Sequence, residues 1–152
     1  MAEASRRASR PVVKGGLPNA LFVASGVGAL PAALDGTAHL VTVNFPWGSL
    51  LAGILGLDER VADAIARLPR PGGLIVVHLS VTERDGIAGV PGLDEAAIDG
   101  LAELQAGRGL VLTGGRPADD GELRGTHSSW ARRLLGGESA RPVWRLELRR
   151  TR

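Results

Sequence analysis

Residues 39–48 read HLVTVNFPWG and place an aromatic side chain at the end of a strand rich in β-branched residues. The composition of residues 39–45 is typical of a strand, which Pro46 ends. Trp47 then lies on a Pro-Trp-Gly turn, in a chain with only three Trp and two Phe. A large ring in this position is a candidate for stacking on a flat ligand. The alternative is a tryptophan that only fills the core.

A second tryptophan lies beside basic residues. Residues 128–133 read SSWARR, so Trp130 is followed closely by Arg132 and Arg133. Guanidinium groups bind phosphate in a bidentate fork and stack on bases. Trp47 and Trp130 together therefore suggest a pincer for a flat, negatively tethered ligand such as a nucleotide base.

Length and composition indicate one globular domain over residues 1–152. The chain is 44% hydrophobic without a long apolar run, so we expect neither a membrane span nor a secretory signal, and a cytoplasmic protein. It contains no cysteine, which excludes disulfides and thiolate-ligated zinc or iron-sulfur sites. His39, His78 and His127 have no ligand spacing, so we expect no metal. The pair Asp119-Asp120 is expected in a solvated loop.

Charge is distributed unevenly along the chain. Residues 1–14 form a basic segment with four basic side chains and one acidic, and residues 124–152 carry eight basic against two acidic. The remaining residues carry six basic against thirteen acidic, and 17 of the 18 basic residues are arginine. This clustering favours a nucleic-acid partner. A GC-rich genome that encodes arginine in place of lysine also explains the composition, but not the clustering.

Hydrophobic patterns predict strands and helices in alternation. Strands are expected at residues 21–24, 39–45, 74–81, 110–113 and 143–148. Helices are expected after Asp58, ending at Pro69, and after Asp94, with Ile98, Leu101 and Ala102 on one face. Residues 117–125 form a connector that leads into a short helix carrying Trp130. These elements indicate an α/β sheet with mostly parallel strands.

The glycines do not form a dinucleotide-binding turn. Gly26 and Gly28 follow a predicted strand, but a third glycine and the following helix are missing, since Leu30 and Pro31 intervene.

Four ordered blocks carry a resemblance to a known family. They are KGGLPNALFV (14–23), ALP (29–31), FPWGSLL (45–51) and SSWARRL (128–134). In this order and approximate spacing they resemble the aminoglycoside-resistance methyltransferases that modify N1 of adenine 1408 in 16S ribosomal RNA. Residues 44–47 also have the spacing of the Asn-Pro-Pro-aromatic motif with which adenine methyltransferases present a ring to a flipped base.

The resemblance implies a class I S-adenosylmethionine-dependent methyltransferase fold with a Rossmann-like sheet. The chain looks N-terminally truncated, with the first two strands and the glycine-rich turn missing. By position, Trp47 and Trp130 would be the catalytic pair that stacks on the target adenine. The resemblance also implies cofactor binding at Ser49, Ser128 and Gly28. At the position of Gly28 the family pattern has an acidic residue. RNA binding is implied at Arg132, Arg133 and Arg141. An ordinary solvated face is the alternative for these arginines.

The implied activity is methyl transfer from S-adenosylmethionine to the flipped adenine of the 30S subunit, which confers aminoglycoside resistance. Because the residues for the methionine and ribose parts of the cofactor are not found, we expect this chain to bind S-adenosylmethionine weakly or not at all. Two alternatives remain open. One is a non-catalytic RNA-binding remnant or partner subunit, and the other is a chain whose start is assigned too late.

Overall fold

A computed structural model describes residues 2–20, 22–87, 92–135 and 141–151. Its strands and helices alternate through the middle of the chain. The helices are α1 (Ala2–Ala8), α2 (Gly48–Ile54), α3 (Glu59–Arg67), α4 (Glu95–Ala106), α5 (Asp120–Gly125) and α6 (Ser129–Leu135). The strands are β1 (Ala38–Asn44), β2 (Pro69–Leu79), β3 (Leu110–Pro117) and β4 (Trp144–Arg150).

The four strands form one sheet in the order β1-β2-β4-β3. Strand β1 pairs with β2 in parallel, with Val43 opposite Val77. Strand β4 lies antiparallel to both β2 and β3. The expectation of mostly parallel strands is therefore wrong for the described residues, in which one pairing of three is parallel. The reason is that β4 lies between β2 and β3, and no local sequence pattern predicts this placement.

The core lies between one face of the sheet and helices α2, α3 and α4. Ile75 and Val77 of the central strand β2 are fully buried, and Leu146 of β4 lies beside them. Alternation along each strand sends these side chains to the same face. Burial of one such side chain contributes about 1.5–3 kcal/mol. This layer supports the strand ends from which the candidate site is built.

Both predicted helix starts are confirmed. The carboxylate of Asp58 accepts a hydrogen bond from the Val61 amide at 3.1 Å, and that of Asp94 accepts one from the Ala97 amide at 2.8 Å. These bonds satisfy amides that the first helical turn leaves without partners. In α4 the buried face comprises Ile98, Leu101 and Gln105.

Three other expectations differ from the structure. Residues 22–24 form no strand, and the side chains of Phe22 and Val23 are 39% and 40% exposed; Leu21 lies outside the described residues. An apolar run becomes a strand only if another strand pairs with it, and β1 is an edge of the described sheet. Strand β2 begins at Pro69, earlier than expected, across an irregular register with β1. Most of the connector at 117–125 is helix α5.

Candidate base-binding cleft

The turn after β1 is held in an uncommon backbone conformation. Phe45 has a φ of 52°, in the left-handed region that residues other than glycine rarely adopt. Its amide donates a 2.7 Å hydrogen bond to the carbonyl oxygen of His78 at the end of β2. Trp47 follows as the residue before α2, and 61% of it is exposed. Trp47 is therefore not a core tryptophan, and its ring is available to a ligand.

Trp130 is positioned by hydrogen bonds before and within the first turn of α6. The hydroxyl of Ser128 accepts a hydrogen bond from the Trp130 amide at 3.1 Å, in the manner of a helix cap. The Ser128 amide in turn donates to the hydroxyl of Thr126 at 3.2 Å, and that hydroxyl donates to the Leu123 carbonyl at 2.7 Å. Ser128 therefore fixes the start of the helix that carries Trp130.

Glu122 ties α5 to the sheet. Arg116 at the end of β3 donates to both of its carboxylate oxygens, at 2.9 and 2.6 Å, and Arg145 of β4 lies 3.1 Å away. Its carboxylate also accepts from the Asp119 amide at 3.0 Å, which completes a capping box. The Arg116 hydrogen bonds, followed by that of Asp119, lower the pKa of Glu122 to about 2. Helix α5 is thus anchored to the sheet by charge as well as by packing.

A second, smaller core joins the two tryptophan segments. Leu123 of α5, Ala131 of α6 and Val143 before β4 are buried together, and Phe45 packs against them. The strained turn that carries Trp47 and the helix that carries Trp130 therefore share one set of apolar contacts. A shift of either segment disturbs the other.

The two tryptophans line the same cleft, which encloses a cavity of only about 10 Å³. That is about the space of one water molecule, so the two rings must move apart before a flat base can lie between them. The fold brings Trp47 and Trp130, which are distant in sequence, to this one cleft, and their role as a pincer stays a prediction. The cleft is lined by Phe45, Pro46, Trp47, Ser80, Trp130 and Arg141.

Arg141 lines the cleft, and neighbouring side chains outside the cleft hold its guanidinium in place. Its guanidinium makes an ion pair with Asp85 and lies 3.4 Å from the Thr82 hydroxyl. Burial alone raises the pKa of Asp85, but hydrogen bonds from the Thr82 amide and from Arg141 lower it below its ordinary value. The resemblance assigned Arg141 to the RNA backbone, and this role stays a prediction. The structure adds that the side chain is already fixed by a carboxylate.

The other predicted site residues do not line this cleft. Ser49 is exposed in the first turn of α2, and Arg132 and Arg133 are exposed on α6. Gly28 lies in a 3-10 turn, Val27–Ala29, where a Cβ atom would stand 2.8 Å from Nε of Arg60. The Arg60 side chain therefore occupies the space beside Gly28. The cofactor roles of Gly28, Ser49 and Ser128 remain predictions.

Sequence reasoning missed Ser80, Asp85 and Glu122. Ser80 directly follows β2, and a polar residue after a buried parallel strand is a usable signal, because ligands bind at the carboxyl ends of such strands. Asp85 and Glu122 gave no comparable signal, since their partners are distant in sequence.

Within the described ranges, no group of three or more His, Asp or Glu side chains is arranged to hold a metal ion. None of the described helices has the length and apolar character needed to cross a membrane.

Several solved structures have a similar fold. Solved structures that match include the 16S rRNA methyltransferase KamB, with a TM-score of 0.86 and 30% identity over 100% of this chain and 72% of that one. The 16S rRNA (adenine(1408)-N(1))-methyltransferase from Catenulisporales acidiphilia, a mutant solved with its cosubstrate SAM, matches with a TM-score of 0.82 and 30% identity. It is covered over 70% of its length. The fold is therefore that of the class I S-adenosylmethionine-dependent methyltransferases, of which this chain matches part.

The sequence comparisons identify the family. The family model described as "NpmA: 16S rRNA (adenine(1408)-N(1))-methyltransferase" matches residues 1–148. A 16S rRNA (adenine(1408)-N(1))-methyltransferase of Streptoalloteichus tenebrarius is 38% identical over 81 residues, which are 53% of this chain and 37% of that protein. One from Escherichia coli is 30% identical over 66 residues, 43% of this chain and 30% of that protein. The chain belongs to the 16S rRNA (adenine(1408)-N(1))-methyltransferase family, and the matched stretches span well under half of these two relatives.

Proposed function

We propose that this chain acts in the transfer of a methyl group from S-adenosylmethionine to N1 of adenine 1408 in 16S ribosomal RNA. In this proposal, the described part of the chain supplies the cleft for the target base. The observation that carries the proposal is the cleft shared by Trp47 and Trp130. The modification would protect the 30S subunit from aminoglycosides. It would place the protein in the cytoplasm, where bacterial ribosomes are found.

The chemistry of the substrate explains why two tryptophan rings would be needed. Adenine N1 lies on the Watson-Crick edge, so the nucleotide must leave its helix before a methyl group can reach it. Stacking on an aromatic side chain is worth about 1–3 kcal/mol per base, which offsets the cost of unstacking. The N1 lone pair is free at neutral pH, so the reaction requires alignment more than a general base. A cleft that opens to admit the base and then holds its ring flat provides that alignment.

Basic side chains on two parts of the surface suit the phosphate backbone. Arg132 and Arg133 are exposed on the helix that carries Trp130. At the other end of the chain, Arg7, Arg10 and Lys14 line a surface depression with Glu3. Contacts with phosphates orient a protein on RNA without reading its sequence, and the flipped base then supplies the specificity.

Two of the three residues to which the resemblance assigns a cofactor role already have neighbours within this chain. The space beside Gly28 holds the Arg60 side chain, and the Ser128 hydroxyl is engaged with the Trp130 amide. We therefore expect isothermal titration of this chain with S-adenosylmethionine to give no micromolar dissociation constant. A micromolar value would show that residues of this chain do form a cofactor site.

Filter binding to 30S subunits tests the proposal without the cofactor. The Trp47→Ala, Trp130→Ala double variant is expected to bind at least tenfold more weakly than wild type, since about 1.4 kcal/mol corresponds to tenfold. Trp144 in β4 is not among the cleft residues, so Trp144→Phe is the matched control and should bind like wild type. Equal affinity of the double variant and wild type would contradict the proposal.

A further inference from the structure

Two polar atoms at the cleft have no hydrogen-bond partner. They are the hydroxyl oxygen of Ser80 and Nε of Arg141, both buried, and both residues line the cleft with the tryptophans. Most buried polar side-chain atoms in proteins have a partner, and an exception requires an explanation. Their position in the cleft wall suggests that the missing partner is the ligand.

The location of Ser80 supports this explanation. It follows Leu79, the last residue of β2, and β2 runs parallel to the strand that leads to Trp47. Ser80 therefore lies at the carboxyl ends of two parallel strands, where ligands of α/β sheets bind. The Arg141 guanidinium is fixed by Asp85, so its remaining donor has a defined place in the cleft wall.

The chemistry of the two groups differs and matches one edge of adenine. An arginine Nε can only donate a hydrogen bond, whereas a serine hydroxyl can also accept one. The major-groove edge of adenine presents a donor, the amino group on C6, beside an acceptor, N7. Recognition through this edge leaves N1 free to react. Ser80 is the unpartnered group that can take the amino hydrogen, and Arg141 can donate to N7.

We propose that Ser80 is a base-recognition residue whose hydroxyl accepts a hydrogen bond from the C6 amino group of the target adenine. The proposal rests on the proposed function, because it needs the base in the cleft. It assigns Ser80 a direct contact with substrate, apart from the stacking by the tryptophans. One neutral hydrogen bond of this kind changes affinity by about two- to tenfold.

A cycle of protein and RNA variants tests this contact. The RNA is a hairpin with the 16S decoding-site sequence, carrying either adenine or purine, which lacks the C6 amino group, at the target position. We expect wild type to bind the adenine hairpin about two- to tenfold more tightly than the purine hairpin, and Ser80→Ala to bind both alike. Ser80→Thr keeps the hydroxyl and should keep the preference. Ser25→Ala, which changes an exposed serine before β1, is the matched control and should behave as wild type.

Thermal unfolding separates recognition from a structural role. The Ser80 hydroxyl has no protein partner, so Ser80→Ala should unfold at the wild-type temperature or above it. Loss of the adenine preference without loss of stability supports the proposal. If Ser80→Ala retains the preference, or if wild type has none, the Ser80 contact is refuted. The proposed function fails separately, when loss of both cleft tryptophans leaves 30S affinity unchanged.

Discussion

The backbone amide of Phe45 donates a 2.7 Å hydrogen bond to the carbonyl oxygen of His78, so the turn that presents Trp47 is attached to the end of the neighbouring strand. The side chain of Phe45 packs against the small core formed by Leu123, Ala131 and Val143. One residue thus connects the sheet, the Trp47 turn and the Trp130 helix. Its left-handed backbone is maintained by these contacts.

Replacement of Phe45 should separate its packing from its backbone strain. Phe45→Ala removes the apolar contacts and should lower the free energy of unfolding by about 1–3 kcal/mol. Phe45→Gly removes the same contacts but relieves the positive φ, so it should be about 1 kcal/mol more stable than Phe45→Ala. Urea unfolding measures both. An alanine variant as stable as the glycine variant would show that the turn is not strained.

Loss of the Glu122 charge should loosen the helices beside the cleft. Glu122→Gln weakens the bonds to Arg116 and Arg145, and we expect a loss of about 1–2 kcal/mol in the free energy of unfolding at pH 7. Glu103→Gln, at an exposed position on α4, is the matched control and should stay within about 0.5 kcal/mol of wild type.

The pH dependence of the Glu122 effect has a defined sign. Its pKa is lowered from 4.5 to about 2, so between these values the unfolded chain binds more protons than the folded one. The contribution of Glu122 is therefore complete above pH 4.5 and is lost as the pH falls toward 2. Urea unfolding at pH 7 and pH 3 should show a smaller difference between Glu122→Gln and wild type at the lower pH. A constant difference would contradict the ion-pair account.

His78 should make stability sensitive to mild acid. It is 8% exposed, and its Nδ1 lies 3.0 Å from the side-chain oxygen of Asn44. Burial, and then the nearby charge of Arg145, lower its pKa below 6.5. The unfolded chain consequently takes up a proton first as the pH falls, and stability decreases below about pH 6.5.

His78→Asn removes the titrating ring and keeps a donor near Asn44. We expect it to be less stable than wild type at pH 7.5, because packing is lost, but to lose less stability between pH 7.5 and pH 5. His39→Asn changes an exposed histidine and should retain the wild-type dependence. Equal slopes for His78→Asn and wild type would exclude His78 as the source of the effect.

Removal of the Asp85 charge should release Arg141 into the cleft. Asp85→Asn leaves a half-buried guanidinium without its carboxylate, and we expect about 2 kcal/mol of destabilisation in thermal or urea unfolding. Affinity for the adenine hairpin should fall as well, because Arg141 is no longer held in place. Arg141→Lys retains the charge but not the fork, and should also bind less tightly. Wild-type affinity in both variants would show that the position of Arg141 does not matter for RNA binding.

Local chemistry predicted some parts of this molecule well. Asp58 and Asp94 were predicted as helix caps because a short carboxylate directly before a helical segment can accept hydrogen bonds from the amides of its first turn. The strand before Trp47 followed from its β-branched residues and the proline after it. The two tryptophans were predicted as a pair from their neighbours, and the fold places them at one cleft.

Features that depend on distant partners were not predicted. The apolar residues 22–24 resemble a strand, yet no pattern within a segment states whether another strand will pair with it. The antiparallel insertion of β4 depends on the whole sheet. Asp85 acquires its role only when Arg141, far along the chain, pairs with it. Ser80 acquires its role only when Arg141 and the two tryptophans line the same cleft.

The central claim is that Trp47 and Trp130 hold the flipped target adenine between them. Its most direct test compares binding of decoding-site hairpins that carry either adenine or an abasic residue at the target position. Wild type should bind the adenine hairpin several-fold more tightly, because stacking exceeds the cost of unstacking. The Trp47→Ala, Trp130→Ala variant should bind both hairpins alike. An adenine preference that is unchanged in the double variant, or absent from wild type, would contradict the account.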